Sequence, residues 1–341
     1  MKILVTGGAG FIGCNIAKFY LDKGWEVAVL DNLSRKGTQS NLDWLKSLGK
    51  IEFHQEDIRD YAGLKKAIAK SGKVDIIHHM AAQVAVTTSV SDPRSDFDIN
   101  ALGTFNLLEA VREMEIDPVI IFASTNKVYG EMTALGVTER GGKYQYADLP
   151  YGIAETNQLD FHSPYGCSKG AADQYMIDYA RIYGLKTVSF RQSCIYGPRQ
   201  FGVEDQGWVA WFTIAAALGK SITIYGDGKQ VRDVLHVEDL VRLFHAAYEN
   251  IDKVKGRVFN AGGGADNQMS LLELIGMLEE KEGKKIPLSF EAWRPGDQKI
   301  YVSDIRRVKG SLGWEPKIPK AEGVGMLWKW VSENKNLFSG F

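Results

Sequence analysis

A doubly wound α/β fold, a parallel sheet covered by helices on both faces, is what this sequence predicts. Three observations predict it. Short runs that are apolar throughout alternate with longer amphipathic stretches over the first half of the chain. A glycine-rich turn joins the first run to the first amphipathic stretch. The 341 residues suffice for one large domain or two smaller ones.

The candidate strands, in order, are "KILVT" (2–6), "EVAVL" (26–30), "IEFH" (51–54), "VDIIHH" (74–79), "VIIFA" (119–123) and "KTVSF" (186–190). Amphipathic stretches at 11–23, 61–70, 97–115 and 165–183 lie between them. Runs without polar alternation suit strands buried on both faces, and strand–helix alternation builds parallel sheets. After residue 195 the pattern loosens: a short strand "SITIY" (221–225) appears, and helical stretches recur near 237–249, 270–280 and 320–333. No Gly/Ser linker separates the halves, so a smaller C-terminal lobe packed on the sheet domain, with a cleft between, is expected.

Composition excludes several functions. Apolar residues make up 45% and charged residues 24%, with net charge −1, so neither a nucleic-acid partner nor another polyanion is favoured. Three cysteines, Cys14, Cys167 and Cys194, cannot all pair and have no metal-ligand spacing, which fits a reducing compartment. "MKILVTGG" reaches glycine too early for a signal peptide, and no stretch approaches the roughly 18 apolar residues of a membrane span. The expectation is a cytoplasmic enzyme without a metal site. His78 and His79 end a strand and read as core residues.

"VTGGAGFIG" (5–13) places Gly7, Gly10 and Gly13 between the first strand and the first helix. Gly7 allows a tight turn, Gly10 lets backbone approach a pyrophosphate, and Gly13 lets helix and sheet pack closely; the helix N-terminus then offers free N–H groups. Asp31 ends the second strand, 18 residues after Gly13, where a carboxylate accepts from both adenosine ribose hydroxyls and repels a 2′-phosphate. That favours NAD over NADP, although Arg35 and Lys36 just beyond could serve a phosphate. Phe11 and Ile12 in the turn, Asn32, Ser34 and Arg35 after the acid, Asp57 and Ile58, Ala81, Ala82 and Gln83, and Asn100 complete a line of candidate cofactor contacts. This is a Rossmann-type reading of the sheet.

"SPYGCSK" carries Tyr165 and Lys169 at i and i+4, one turn apart on one helix face. Ser163 can cap that helix and Pro164 suits its first position. A lysine ammonium beside the phenol stabilises the phenolate, making Tyr165 a base near neutral pH, and Lys169 could also hold the nicotinamide ribose. The pair gains force from its company: a dinucleotide fingerprint and the hydroxyl pair Ser124-Thr125 ending a buried strand.

"TGGAGFIG", "STNKVYG", "YGCSK", "RQSCIYGPRQ", "VRDVLHVEDL" and "RPGDQ", in that order over most of the chain, resemble the extended short-chain dehydrogenases/reductases that act on nucleotide sugars. The resemblance implies NAD in the sheet domain and a nucleoside-diphosphate sugar under the small lobe. The corresponding boundaries are 1–192 with 233–265 for the NAD-binding domain, and 193–232 with 266–341 for the substrate-binding lobe. It further implies that Thr125 bridges substrate and Tyr165, with Ser124 and Asn126 beside it. Arg232 and Arg294 would hold the diphosphate, Asp297 a ribose, and Gln206 would line the nucleotide pocket. A homodimer or homotetramer is the implied assembly. Cys194 departs from the asparagine common at its position, which leaves that contact to the nucleotide open.

The related 4,6-dehydratases carry Thr-Asp-Glu where this chain has Thr125-Asn126-Lys127. Eliminating water needs an acid and a base there; an amide and a cation supply neither. Epimerisation needs only oxidation, turnover of the keto sugar and return of hydride. The residues alone do not say which carbon reacts. "STNKVYG", "ETNQLDFHSPYGCSK" and "RQSCIYGPRQFGVEDQGWVAWF" are similar to 2-epimerases of CDP-linked hexoses (CDP-paratose to CDP-tyvelose type), which implies oxidation at C2. A UDP-sugar 4-epimerase and a non-catalytic NAD-binding regulator are the alternatives.

Overall fold

The computed structural model describes residues 1–294 and 297–339. These fall into two compact units, one made of 1–128, 161–191 and 241–259, the other of 129–160, 192–240 and 260 onward.

The first unit is built on a seven-stranded sheet. Its strands are β1 (Lys2–Thr6), β2 (Glu26–Leu30), β3 (Glu52–His54), β4 (Ile76–His79), β5 (Val119–Thr125), β6 (Lys186–Gln192) and β7 (Arg257–Ala261), in the spatial order β7-β6-β5-β4-β1-β2-β3. The pairs β1–β2, β1–β4, β2–β3 and β4–β5 are parallel. The order reverses at β1, so the strand ends of β1 and β4 open the crevice where such sheets take ligands. The apolar runs are buried throughout: Ile3, Leu4 and Val5 of β1 and Ile120, Ile121 and Phe122 of β5 are solvent-excluded. Leu107, Leu108 and Val111 of the helix Gly103–Glu113, with Ala172 and Met176 of Ser163–Tyr183, complete the core on one face.

Three departures from the expected elements have physical causes. The helix Thr38–Leu48 buries only Leu42 and Leu45 among its apolar residues, too few for a visible period. The expected 97–115 helix opens with a turn of π-helix, Asp98–Leu102, which places Asn100 inward. The last strand, β7, was hidden by its polar flanks.

In the second unit the helices Trp208–Ala217, Leu271–Glu282 and Lys320–Glu333 enclose a core that includes Phe212, Ile214, Leu274, Leu278, Val324 and Leu327. Ser270 and Glu273 form a reciprocal capping box at the start of Leu271–Glu282. The strand Val231–His236 pairs antiparallel with Gln268–Ser270, and parallel with Ile300–Tyr301 and Cys194–Tyr196. The segment 129–160, which the expected boundaries give to the first domain, lies in this unit. Tyr129 donates its hydroxyl to Asn260 at 2.7 Å, and Ile153 N–H donates to the Val302 carbonyl at 2.7 Å. Among the described residues no helix is long and apolar enough to cross a membrane.

Candidate active site

The glycine turn is shaped as its spacing requires. Gly7 has φ +66°, and a Cβ there would lie 2.6 Å from the Ala81 nitrogen; a Cβ on Gly13 would lie 2.2 Å from the Gly7 carbonyl oxygen. β1, the loop after β4 and the first helix therefore meet backbone to backbone. That helix, Phe11–Asp22, has no side-chain cap and no acid in its first turn, leaving its N–H groups to a ligand. Phe11 and Ile12 are half-buried at this end.

Asp31 is buried at the end of β2, its Oδ2 accepting from Ala9 N–H at 3.0 Å and its Oδ1 from Leu33 N–H at 2.8 Å. Burial raises its pKa; the backbone donors and the Arg35 charge oppose this. Asn41, with no motif to announce it, donates to the Ala9 carbonyl at 3.1 Å and ties the helix Thr38–Leu48 to the glycine turn. Asn32 and Ser34 are exposed, joined by Ser34 N–H donating to Asn32 Oδ1 at 3.1 Å.

Two candidate cofactor contacts are otherwise engaged. Asp57 receives Arg59 at 2.9 and 2.8 Å and Asn32 at 2.8 Å, and the Arg59 hydrogen bonds pull its carboxyl down to about 2. Ile58 is a core residue packed on Gly103, its carbonyl accepting from Asn106. Ala81 and Ala82 line the turn beyond β4, where a small side chain leaves room. Gln83 and Asn100 face each other: Gln83 N–H donates to Asn100 Oδ1, and Asn100 Nδ2 donates to the Gln83 carbonyl, both at 3.0 Å. Their side chains also converge on the buried Asp96.

Ser163 caps the next helix as its sequence promised, its Oγ accepting from Gly166 N–H at 3.2 Å, with Pro164 in the first turn. β5 ends at Thr125, whose hydroxyl bonds with the Tyr165 phenol, and Lys169 lies one helical turn on, its ammonium 4.1 Å from the Phe122 ring centre. All three are buried. Burial pushes Tyr165 up to about 12, against the Thr125 hydrogen bond and the Arg35 charge, while Asp96 adds to the rise. Burial also brings Lys169 down to about 7, against the charges of Asp173 and Asp96. The expected lowering of the phenol by Lys169 is thus not met: burial of the phenol itself outweighs the opposing contributions, and Arg35 is the cation that bears on it. Ser124 is buried in the strand end, and Asn126 follows as a half-buried residue accepting from Thr125 at 3.4 Å.

In the second unit Arg232 lies 3.6 Å from Asp297, which also borders a cavity of about 400 Å³ lined by Met132, Leu135, Tyr146 and Gln298. Arg294 stacks 3.8 Å over the Tyr225 ring and pairs with Asp205 at 3.2 Å and Glu204 at 3.6 Å. Gln206 closes a turn with Val203, and the helix beginning at Trp208 follows at once.

A switch-point glycine turn, an acid ending β2 and a buried Thr-Tyr-Lys set define a Rossmann-type extended short-chain dehydrogenase/reductase. Comparison with known proteins is consistent with this and goes further. The chain belongs to the GDP-mannose 4,6 dehydratase family, whose model matches residues 4–327. It is 48% identical over 337 residues to a CDP-paratose 2-epimerase of Salmonella typhi, covering 97% of this chain and 99% of that one. A UDP-glucose 4-epimerase of Thermotoga maritima solved with UDP-glucose superposes with a TM-score of 0.85 at 32% identity, covering 98% of this chain and all of that one. A Thermus thermophilus UDP-glucose 4-epimerase solved with NAD gives 0.81 at 32% identity over the whole of both chains. The chain is therefore an enzyme, an isomerase of the epimerase type.

Proposed function

We propose that this protein is an NAD-dependent 2-epimerase of a CDP-linked hexose, of the CDP-paratose to CDP-tyvelose type. The 48% identity along nearly the whole of both chains carries the reading. The Thr125-Asn126-Lys127 strand end supports it, because it lacks the acid and base that dehydration requires.

The residues fit NAD. The uncapped N-terminus of the helix Phe11–Asp22 offers its N–H groups to a pyrophosphate, and the buried Asp31 carboxylate stands where ribose hydroxyls can donate to it. When bound, NAD would supply the reversible hydride acceptor that epimerisation requires. The chain supplies the rest: Tyr165 takes the proton of the C2 hydroxyl and gives it back, Thr125 orients that hydroxyl, and Lys169 holds the nicotinamide ribose. Arg232 and Arg294 suit a diphosphate as planar, bidentate donors, with Asp297 on the nucleoside ribose. Arg294 would then exchange an acidic partner for phosphate.

The same reading makes the protein a cytoplasmic homodimer or homotetramer, in keeping with the exposed Tyr175, Ile182 and Tyr183 on the helix Ser163–Tyr183. UDP-glucose 4-epimerases are more distant, at 34% identity for the Mycolicibacterium smegmatis enzyme. NMR of CDP-, UDP- and GDP-hexoses incubated with the purified protein separates the two. Inversion at C2 of the CDP sugar is expected; inversion of UDP sugars at C4 alone would make the reading wrong.

A further inference from the structure

Asp96 has no place in the motifs, yet the fold buries it completely beside the reacting groups. It lies in the short helix Pro93–Phe97. Its Oδ1 accepts from Gln83 Nε2 at 2.8 Å and from Asn100 Nδ2 at 3.1 Å, and its Oδ2 accepts from the Ser168 hydroxyl. The three donors come from the loop after β4, the π-turn, and the helix that carries Tyr165 and Lys169. Ser168 stands between those two residues, so the carboxylate ties their helical turn to the loop facing the glycine cradle.

The three donors are neutral, so they solvate the carboxylate without cancelling its charge. The other acid facing Lys169 is different. Asp173, one turn further along the same helix, is met by Arg191 at 2.8 Å and by the Ser189 hydroxyl at 2.5 Å. Its charge is largely matched. Around Lys169 stand Asp96 from one side, Asp173 on its own helix, the Phe122 ring from β5, and from β4 His79, whose imidazole burial keeps neutral. Tyr165 is faced by Asp96, by Arg35 and by the Thr125 hydroxyl.

We infer that Asp96 is a positioning residue of the epimerase: it anchors the Tyr165–Lys169 turn through Ser168 and supplies the negative charge that the Lys169 ammonium faces in a dry site. The inference rests on the Tyr165–Lys169 reading above, but not on which sugar is turned over. An unmatched carboxylate favours the protonated lysine and disfavours the phenolate. Its removal therefore lowers the titration midpoints of both groups.

Asp96→Asn tests this, because the amide keeps an oxygen for Gln83 and Asn100 and presents an N–H₂ to Ser168. In ¹³C-lysine NMR of the cofactor-loaded enzyme, with the resonance assigned by Lys169→Met, the Lys169 midpoint is expected to fall by roughly one pH unit. Both breaks of the pH–rate profile are expected to move to lower pH with it, at unchanged KM. An unmoved lysine midpoint would overturn the electrostatic role whatever the substrate, whereas a moved midpoint in a protein that epimerises no nucleotide sugar would leave the inference standing and sink the proposed function. If Asp96→Asn does not fold, Ser168→Ala removes the tether and keeps the charge. Its kcat is then expected to fall several-fold with the midpoint unmoved, and parent-like kcat would overturn the anchoring role.

Discussion

Replacing Tyr165 with phenylalanine is expected to lower kcat by roughly 10²- to 10⁴-fold, the span that a lost general acid–base group commonly removes. The change deletes one oxygen from a residue that is only 8% exposed, and that oxygen's partner is the Thr125 hydroxyl. The ring stays, so packing and cofactor retention are expected to match the parent. The loss should fall on kcat with KM nearly unchanged, because the proton moves only as the sugar hydroxyl is oxidised. Steady-state kinetics, with bound NAD counted after denaturation, checks both halves. A Tyr165→Phe enzyme retaining a tenth of parental kcat would show that another group carries the proton.

The second large effect is acid instability built into β4. His78 and His79 are fully buried, and burial brings each down to about 3. The two differ in how they are held. His79 is bracketed by the Thr6 hydroxyl at 2.7 Å and the Thr104 hydroxyl at 3.0 Å, whereas both ring nitrogens of His78 lack a hydrogen-bond partner. His78 is stacked instead on Phe244. In the unfolded chain each imidazole gains its proton near pH 6.5, while in the fold it stays neutral down to about pH 3. Between those values the unfolded state binds more protons, so stability falls as pH falls through this window. Each histidine contributes a slope of about 1.4 kcal/mol per pH unit. Urea unfolding between pH 7.5 and 4.5 is expected to show a steep loss of stability. His78→Phe should roughly halve the histidine part of that slope, because a phenyl ring takes up no proton in either state. An identical slope in parent and variant would contradict the assignment.

The sheet was legible because its strands are apolar throughout and its helices are punctuated by glycine turns and caps. Gly7, Gly13 and Asp31 could be placed from spacing because each is demanded by backbone geometry at one strand end. Tyr165 and Lys169 could be placed because a helix puts i and i+4 on one face. What was not legible depends on tertiary contact alone. Nothing in "PRSDF" marks Asp96 as the meeting point of three elements, and nothing in "TQSNLDW" shows Asn41 reaching the Ala9 carbonyl. Gln83 and Asn100 read as cofactor contacts in the sequence, whereas in the structure the Asn100 amide is spent on the backbone of Gln83. The pairing of Arg294 with Glu204 and Asp205 was likewise invisible, since those acids sit in a turn some ninety residues earlier. Burial overturned the simplest electrostatic expectation, because desolvating the phenol raises its pKa by more than the nearby cation and the Thr125 hydrogen bond lower it.

The central claim, that one carbon is oxidised and reduced again without exchange of its hydrogen, is tested by a CDP-hexose carrying deuterium at C2. Turnover by the cofactor-loaded enzyme in ordinary water is followed by NMR. The expected result is a mixture of the two C2 epimers in which the product keeps its deuterium. Loss of the deuterium to water, or inversion at C4 with C2 untouched, would contradict the account.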